Sequence, residues 1–293
     1  MTTASAALAG CSAERTAAAT VAAAGTAVPC APAGTLPAKA ARTTRESVLS
    51  THRWTPSLVS IRVSRDPAFR FTPGHYARLG IAQGTDPAIF RPLSIASAPS
   101  ASHLEFVCTL VPGGEFSQHL ARLRAGDPVE VEKASYGFLT VDSLAPGEDL
   151  WLLASGTGLA PFVSMLRDAH VWRAFEHVVL VHSVRSAAEL AYADELRHLM
   201  HAPSVPDARA TLRYVPVVTR EPGATPLAER IPTLLADGRL AQEAGLALDP
   251  AHSRVMACGN PDLTRALRTL LVERGFRTSR RGDRGQLAVE KYW

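Results

Sequence analysis

The sequence predicts two fold classes in series: an antiparallel β-barrel, followed by an α/β domain with a parallel sheet. Between Arg45 and about Ala145, short alternating or β-branched segments are separated by Pro, Gly and Asp. Their spacing of roughly 10–15 residues is typical of an antiparallel barrel. From Asp149 onward, apolar strand-like runs alternate with helical stretches, which is typical of a doubly wound sheet. A chain of 293 residues has room for both domains and a tail.

The first 45 residues are rich in Ala, Thr, Gly and Pro and show little periodicity, so we expect a disordered tail over residues 1–45. Leu8-Ala9-Gly10-Cys11 is similar to a bacterial lipoprotein cleavage site. However, no basic residue precedes it, and the apolar stretch is too short for an export signal. No run of about 18 apolar residues occurs. We therefore expect a cytoplasmic protein with a barrel domain over 46–146 and an α/β domain over 147–293.

The barrel strands are predicted from alternation between turn residues, with one short helical turn at Ser117–Leu123. The predicted strands are Glu46–Leu49, Leu58–Ser64, His75–Gly80, Leu93–Ala96, Leu104–Val111 and Pro128–Lys133.

The first segment of the α/β domain carries the strongest local signal. Leu150–Ala154 is a short apolar run that ends near Gly156 and Gly158, and Pro161 lies in the first turn of the helical stretch that follows. Such a strand, glycine turn and helix N-terminus direct bare N–H groups and a positive dipole at one place, which favours a pyrophosphate. An ordinary βα turn also explains many such matches, but the second strand at His177–Val184 makes a βαβ unit plausible.

The other elements of the α/β domain follow the same alternation. Strands are predicted at 150–154, 177–184, 212–219, 253–258 and 287–293, with helices near 160–174, 187–200, 227–236 and 261–274.

Composition excludes several function classes. The net charge of +4 is only mildly basic and no zinc-finger spacing is present, so nucleic acid is not suggested. The four cysteines, Cys11, Cys30, Cys108 and Cys258, include no C-x-x-C pair. We therefore expect a reducing compartment and neither an iron–sulfur cluster nor another metal.

Two barrel stretches carry groups suited to a ligand. In Arg91–Ser97, Arg91 offers a planar fork for phosphate oxygens, and Ser94 could hydrogen-bond a ring nitrogen or carbonyl. Pro112–Ser117 opens a short helix and again presents N–H donors at a helix start. Taken alone, the first stretch is better explained as a surface arginine with two strand serines, and the second as a Ser-capped turn would need no ligand.

Four motifs together resemble one family. Arg91–Ser97, Gly114–Ser117, Gly156–Phe162 and Cys258–Pro261 follow one another in an order and spacing similar to the ferredoxin–NADP⁺ reductase family. The resemblance covers about residues 46–293, and the ending Tyr292-Trp293 is similar to the bacterial ferredoxin/flavodoxin reductase subgroup. It implies that the barrel binds FAD, that the α/β domain binds NADPH, and that single electrons pass to or from ferredoxin or flavodoxin.

The resemblance also implies a role for each motif. Arg91 would contact the FAD pyrophosphate, Ser94 would lie beside the reactive flavin nitrogen, and Cys258 would lie near the nicotinamide, so that Ser94 and Cys258 are the expected catalytic residues. The remaining cofactor-binding positions that it implies are Leu93, Gly114, Phe116, Ser117, Gly156, Thr157, Gly158, Pro161, Gly259, Asn260, Pro261, Tyr292 and Trp293.

Leu93 departs from the family pattern, which usually has a tyrosine at this position stacked on the flavin ring. Leucine can cover a flat ring by dispersion but provides neither a hydroxyl group nor π-stacking. Flavin affinity, potential or hydride geometry could therefore differ.

Arginines follow the second and third strands of the α/β domain, where NAD-specific folds place a carboxylate on the ribose hydroxyls. Arg185 ends the second strand. The resemblance to the bacterial subgroup implies that Arg220, which follows the third strand, and Arg230 line the same pocket. Since a guanidinium attracts a 2′-phosphate, we expect NADPH rather than NADH. Each arginine alone could be a solvated surface residue, and Glu189 nearby is expected to be a helix-surface charge.

Alternatives remain open at this stage. A basic run near the C-terminus could be a solvated face or a docking patch for an acidic electron carrier, and it comprises Arg274, Arg277, Arg280, Arg281 and Arg284. An NADH-dependent reductase component of an oxygenase, or a non-catalytic flavin-binding sensor, would use the same two domains. We expect a monomer with no nucleic-acid or membrane partner.

Overall fold

The computed structural model describes residues 42–82, 84, 86–203 and 205–291. The predicted tail up to residue 41, and with it Cys11 and Cys30, lies outside the described residues. Tyr292 and Trp293 lie outside them as well.

The amino-terminal half forms a nearly closed antiparallel barrel, as predicted. Its six strands have the order β4-β3-β6-β1-β2-β5. The bridge between Ile95 and Phe106, together with the hydrogen bond from Ala96 N to Glu105 O at 2.7 Å, joins the end of β4 to β5. The strands are β1 Thr43–Thr55, β2 Leu58–Ser64, β3 Tyr76–Ile81, β4 Ile89–Ser94, β5 His103–Thr109 and β6 Pro128–Glu132.

Two barrel elements differ from their predicted bounds. Strand β1 begins at Thr43, so residues 43–45 of the predicted tail are strand, because they pair with β6 from Thr43 opposite Glu132. The predicted helical turn starts earlier, as helix α1, Glu115–Leu120, because Phe116 and Leu120 bury against the barrel core. Alternate strand residues fill that core, as the period of a half-buried strand requires.

The carboxyl-terminal half has the predicted parallel sheet, with strand order β11-β10-β7-β8-β9. Register is continuous, with Leu152 of β7 beside Met256 of β10 and Leu180 of β8. Every strand of the central three is fully apolar in its middle, since helices cover both faces. The strands are β7 Asp149–Ser155, β8 His177–Val184, β9 Thr211–Val218, β10 Ser253–Gly259 and β11 Leu287–Lys291.

The helices of this half are shorter than predicted. Asp168 ends the first predicted helix because its carboxylate accepts a hydrogen bond from His170 N at 2.8 Å and caps a second helix. Helix α6 was not predicted. None of the described helices is long and apolar enough to cross a membrane. The helices are α2 Ala160–Leu166, α3 Ala169–Ala174, α4 Ala193–His201, α5 Ile231–Ala236, α6 Arg239–Ala244 and α7 Pro261–Glu273.

One hydrophobic core cluster is shared between the barrel and the sheet. Leu58, Ala96 and Val107 of the barrel belong to the same cluster as Leu159 and Phe162 of the α/β domain. The opposite face of the sheet has its own core beneath α5 and α7. The barrel is therefore attached to the sheet by apolar burial at the face that α2 covers.

Replacing Phe162 should loosen this attachment. We expect both Phe162→Ala and the control Phe276→Ala, which is buried on the opposite face, to lower the free energy of unfolding by about 3–5 kcal/mol. Only Phe162→Ala should separate the urea transitions followed by circular dichroism and by tryptophan fluorescence. Coincident transitions in both variants would contradict a shared core that couples the two halves.

Candidate cofactor-binding site

The glycine turn after β7 has the predicted form of strand, turn and helix. Residues Gly156–Leu159 form a 3₁₀ turn and α2 follows at once, with Pro161 in its first turn. Gly156 has φ +53° and is exposed, and a Cβ atom added to it would meet no heavy atom within 4 Å. The left-handed backbone thus presents the turn to solvent at the carboxyl end of the sheet. Thr157 is buried behind it.

Gly158 has a packing role that the sequence did not predict. A Cβ atom at Gly158 would lie 2.3 Å from the carbonyl oxygen of Cys258. The missing side chain therefore makes room for the protein backbone at the end of β10, whereas the space beside Gly156 is open. The sequence pattern treated both glycines alike, because it does not show which chain segment lies opposite each of them.

The second predicted motif meets the first at this place. The backbone N–H of Asn260 lies 3.4 Å from the Ser155 hydroxyl oxygen, and a Cβ atom added to Gly259 would lie 2.2 Å from that oxygen. Asn260 caps α7, since its Oδ1 accepts a hydrogen bond from Leu263 N at 2.9 Å, and Pro261 occupies the first turn. The two turns therefore form one continuous edge.

His182 supports the glycine turn from beneath. It lies on β8, is 1% exposed, and its Nε2–H donates to the Gly156 carbonyl oxygen at 3.1 Å. Its Nδ1 is buried without a hydrogen-bond partner among the described residues. Burial lowers the pKa of His182 to about 4, although the hydrogen bond to Gly156 opposes the shift. The imidazole is therefore neutral near pH 7. Sequence reasoning missed this residue, because its only signal was a place in an apolar strand.

Cys258 is fully buried, and burial, together with the charge of Glu290, raises the pKa of its thiol well above the usual value. The two residues are neighbours in the β10–β11 register. Burial also raises the pKa of Glu290, while the backbone amides of Phe138 and Leu139 oppose the shift. Cys258 is thus a neutral thiol, and Glu290 is a half-buried carboxyl group that sequence reasoning missed.

The barrel reaches this edge through a row of aromatic residues. Ser94, which is 3% exposed, pairs with Tyr76 across β4 and β3. Tyr76 exchanges backbone hydrogen bonds of 2.7 and 2.9 Å with Tyr136, and their ring centroids are 5.6 Å apart. Phe138, two residues further on, lies at the segment whose amides face Glu290. Pairwise contacts therefore connect Ser94 to Glu290 through Tyr76, Tyr136 and Phe138, and the side chains of Tyr136 and Phe138 are 41% and 40% exposed.

The other barrel positions are arranged as follows. Arg91 is exposed on β4, and its guanidinium donates to the Phe90 carbonyl oxygen at 2.8 Å. Leu93 is partly exposed and packs against the barrel core. Its side chain therefore contributes to the barrel interior as well as to the surface of β4.

The loop before α1 is held by a side chain of that helix. Ser117 Oγ accepts a hydrogen bond from Val111 N at 2.9 Å, and Gly114 N donates to Val111 O at 3.0 Å. Gly114 is the N-cap of α1 and supplies no side-chain cap. Phe116 is buried in the barrel core. The first N–H groups of α1 are therefore free of a side-chain cap.

Two of the three predicted 2′-phosphate arginines are brought together. Arg220 N donates to Arg185 O at 2.9 Å, so the ends of β8 and β9 lie side by side with both side chains exposed. Arg230 is exposed at the N-cap of α5. Glu189 was predicted to be a charge on a helix surface. It lies instead in a 3₁₀ turn, where its carboxylate accepts a hydrogen bond from Arg185 N at 3.0 Å.

The C-terminal basic run lies at the other edge of the sheet. Arg277 O accepts hydrogen bonds from Gln286 N and Leu287 N, at the residue where β11 begins. Strand β11 runs parallel to β10, so its start is at the amino edge and the glycine turns are at the carboxyl edge. The run is therefore separated from the candidate site by the length of the sheet.

Comparison with known proteins defines the class of the chain. Residues 56–139 match the model of the Oxidoreductase FAD-binding domain, and residues 152–269 match that of the Oxidoreductase NAD-binding domain. The fold is thus that of a two-domain flavin- and pyridine-nucleotide-dependent oxidoreductase.

Similar proteins specify the family. The chain is 40% identical to "Ferredoxin--NADP reductase A" of Sorangium cellulosum, over 85% of this chain and 89% of the relative. It is 36% identical to "Ferredoxin--NADP reductase" of Pseudomonas aeruginosa, over 84% and 96%. A crystal structure of a ferredoxin NADP⁺ reductase from Neisseria gonorrhoeae with bound FAD and NADP aligns with TM-score 0.80 and 33% identity, covering 86% of this chain and 100% of that one. The chain belongs to the bacterial ferredoxin–NADP reductase family of oxidoreductases.

Alanine substitutions should distinguish the two glycines of the turn. We expect Gly158→Ala to cost about 3 kcal/mol or more in the free energy of unfolding, because the new Cβ must displace the Cys258 backbone. Gly156→Ala should cost only about 1–2 kcal/mol, from its left-handed conformation. Denaturant unfolding of both variants measures the difference, and equal losses would contradict the assigned packing role of Gly158.

Acid should destabilise the protein through His182. Its folded pKa of about 4 lies below the ordinary value of 6.5, so the unfolded chain binds the proton more tightly. The stability that the neutral ring contributes is complete above about pH 6.5 and is lost as the pH falls toward 4, by roughly 3 kcal/mol. His182→Gln, which keeps a donor for Gly156, should show a correspondingly shallower pH dependence in urea titrations. Parallel pH curves for the variant and the wild type would rule out this titration.

Proposed function

We propose that the protein transfers a hydride between NADPH and FAD and passes single electrons to or from ferredoxin or flavodoxin. The observation that carries the proposal is the single edge formed by the Gly156 turn and the Cys258 turn, with Ser94 connected to it by the contacts through Tyr76, Tyr136 and Phe138. The names of the relatives support the NADP and ferredoxin or flavodoxin assignments.

The residues present fit two dinucleotides. At Gly156 the turn is open where a Cβ atom would meet nothing, and α2 begins directly behind it, so a pyrophosphate could contact the backbone there. On the barrel, Arg91 and the uncapped start of α1 offer a cation and N–H donors to a second pyrophosphate. We propose a FAD-binding domain over residues 46–146 and an NADP(H)-binding domain over 147–293.

The chain's own contribution is to bind, orient and exclude water. When bound, FAD supplies the chemistry, because it takes up two electrons together and releases them singly. Ser94 is a buried hydroxyl at the end of β4 that could hydrogen-bond the ring edge. Cys258 shapes the nicotinamide pocket as a neutral thiol, since burial raises its pKa. Hydride transfer needs no acid–base pair, so positioning is the main catalytic effect.

The preference for NADPH follows from the adjacent ends of β8 and β9. Arg185 and Arg220 are both exposed there, and the backbone hydrogen bond between them keeps their Cα positions close. Two guanidinium groups favour the 2′-phosphate. The carboxylates of Glu189 and Glu221 accept hydrogen bonds from Arg185 N and Ala187 N, so they order this segment.

Charge reversal should test the cofactor assignment. Purified protein should contain or take up FAD and should bleach anaerobically with NADPH faster than with NADH. We expect Arg185→Glu to raise the KM for NADPH roughly 10- to 100-fold, because a charge-assisted contact becomes a repulsion, and to leave that for NADH nearly unchanged.

Arg281→Glu is the matched control, because it reverses one exposed arginine at the amino edge of the sheet. It should leave both KM values unchanged. Equal weakening of NADPH and NADH by Arg185→Glu would contradict the 2′-phosphate assignment. A protein that takes up no FAD would refute the proposed function itself, and a protein that takes up FAD but reduces no acceptor would favour a flavin-binding sensor.

A further inference from the structure

A buried charge cluster outside the candidate site connects the barrel with two segments of the α/β domain. We name it the interdomain cluster, and it consists of Glu105 on β5, Arg167 after α2, Tyr192 before α4, and Glu195 on α4. The side chains of Glu105 and Arg167 are 3% and 17% exposed. None of these residues has a role in the function proposed above.

Arg167 is the centre of the cluster. Its Nη1 donates to the Ala96 carbonyl oxygen at 2.9 Å and to Glu105 Oε2 at 2.8 Å. Its Nε and Nη2 donate to the two carboxylate oxygens of Glu195, both at 2.7 Å. One guanidinium thus makes a bidentate contact within the α/β domain and two contacts to the barrel, a geometry that lysine cannot reproduce.

Glu105 has compensating partners for its burial. Tyr192 OH donates to Glu105 Oε1 at 2.9 Å, and the Arg62 guanidinium lies 3.4 Å from the same oxygen. Burial alone would raise the pKa of Glu105, but the charge and hydrogen bond of Arg167 outweigh it, and the pKa is lowered. Burial and the Glu105 charge raise the pKa of Tyr192, which stays a neutral donor. The carboxylate is therefore ionised and fixed between the two halves.

The backbone at Tyr192 shows how tightly the cluster is fixed. Tyr192 has φ +59°, which is uncommon for a bulky residue. The Arg167 guanidinium lies 5.2 Å from the centre of its ring, and Trp54 of the barrel packs against the ring at 5.0 Å between centroids. Such a conformation persists only where the surroundings determine it. The barrel, α2 and α4 therefore hold this side chain jointly.

The residues that the cluster contacts or contains lie next to the three segments for which we propose cofactor contacts. Ala96 follows Ser94 by two positions, and the next residue, Ser97, accepts a hydrogen bond from Ser164 of α2 at 2.8 Å. Arg167 ends the helix that begins behind Gly156. Tyr192 closes the segment that starts at Arg185. The cluster is therefore connected to the Ser94 segment, to the Gly156 turn, and to the segment that starts at Arg185.

We propose that Arg167 is a positioning residue, which together with Glu105 and Tyr192 sets the separation between the Ser94 segment of the barrel and the Gly156–Cys258 edge of the sheet. The inference rests on the proposed function, because that separation fixes how the two cofactor rings meet. Small misplacements of reacting groups cost large factors in rate. Loss of the cluster should therefore reduce turnover more than it reduces binding of either cofactor.

The test uses the full chain with Arg167→Lys, which keeps the charge but loses the fork, and Tyr192→Phe, which loses only the hydroxyl donated to Glu105. With NADPH and ferricyanide, we expect kcat to fall roughly 10- to 100-fold in Arg167→Lys and about two- to fivefold in Tyr192→Phe. The KM for NADPH and the Kd of the apoprotein for FAD should change less than about twofold. The primary deuterium isotope effect of 4-deuterated NADPH should rise, as hydride transfer becomes rate-limiting.

A second readout does not depend on turnover. In hydrogen-exchange mass spectrometry of the apoprotein, both variants should exchange faster at 94–106 and 160–172, and should match the wild type at 231–244. Arg254→Lys is the matched control, since Arg254 is also a buried arginine, binding the carbonyl oxygens of Ala145 and Pro146 at the amino edge of the sheet. It should lower thermal stability and leave kcat and the isotope effect unchanged.

The outcomes separate the two proposals. Faster exchange with unchanged kcat and isotope effect would overturn the positioning role and leave the cluster as a stabilising contact only. Equal losses of kcat in Arg254→Lys and Arg167→Lys would overturn it too. If Arg167→Lys fails to fold, Tyr192→Phe decides, and wild-type kcat in that variant would overturn the inference. A wild-type protein that binds no FAD would instead refute the proposed function.

Discussion

The close approach of Gly158 to the Cys258 carbonyl is the constraint on which the rest of the structure depends. A Cβ atom added to Gly158 would lie 2.3 Å from the carbonyl oxygen of Cys258, so the turn after β7 lies directly on the end of β10. Since the strands are parallel, both of their turns must open at the same edge. The Ser155 hydroxyl then links them. The open edge at which we propose a nucleotide site is therefore a consequence of backbone packing before any side chain contributes.

The barrel is attached beside this edge by two different physical forces. Apolar burial joins Ala96 and Val107 to the core beneath α2, and it fixes which faces meet but not their angle, because it is non-directional. The contacts of Arg167 are directional and lie in a partly buried environment, where hydrogen bonds to ionised groups are strong. Together they hold the Ser94 strand against the sheet, which is what a reaction dominated by positioning requires.

The buried groups of the candidate site are neutral, and its charged groups lie at the surface. His182 and Cys258 are buried and neutral, because burial shifts their pKa values away from the charged forms. The arginines that would meet phosphates, Arg91 and Arg185, remain exposed. This division suits two cofactors whose reactive rings are flat and whose charges lie on phosphates away from those rings.

The sequence by itself determined the fold class and the place of the glycine turns, because period-2 and period-3.6 patterns and the turn residues are local properties. It also placed Arg185 and Arg220 at the ends of the second and third strands of the α/β domain, since strand ends can be read from the pattern. It could not assign Gly158 to packing, Glu189 to a backbone contact, or the C-terminal arginines to the far edge. Nor could it find Arg167 with Glu105, which are separated by 62 positions. Those assignments depend on which distant segments become neighbours, and only the tertiary structure decides that.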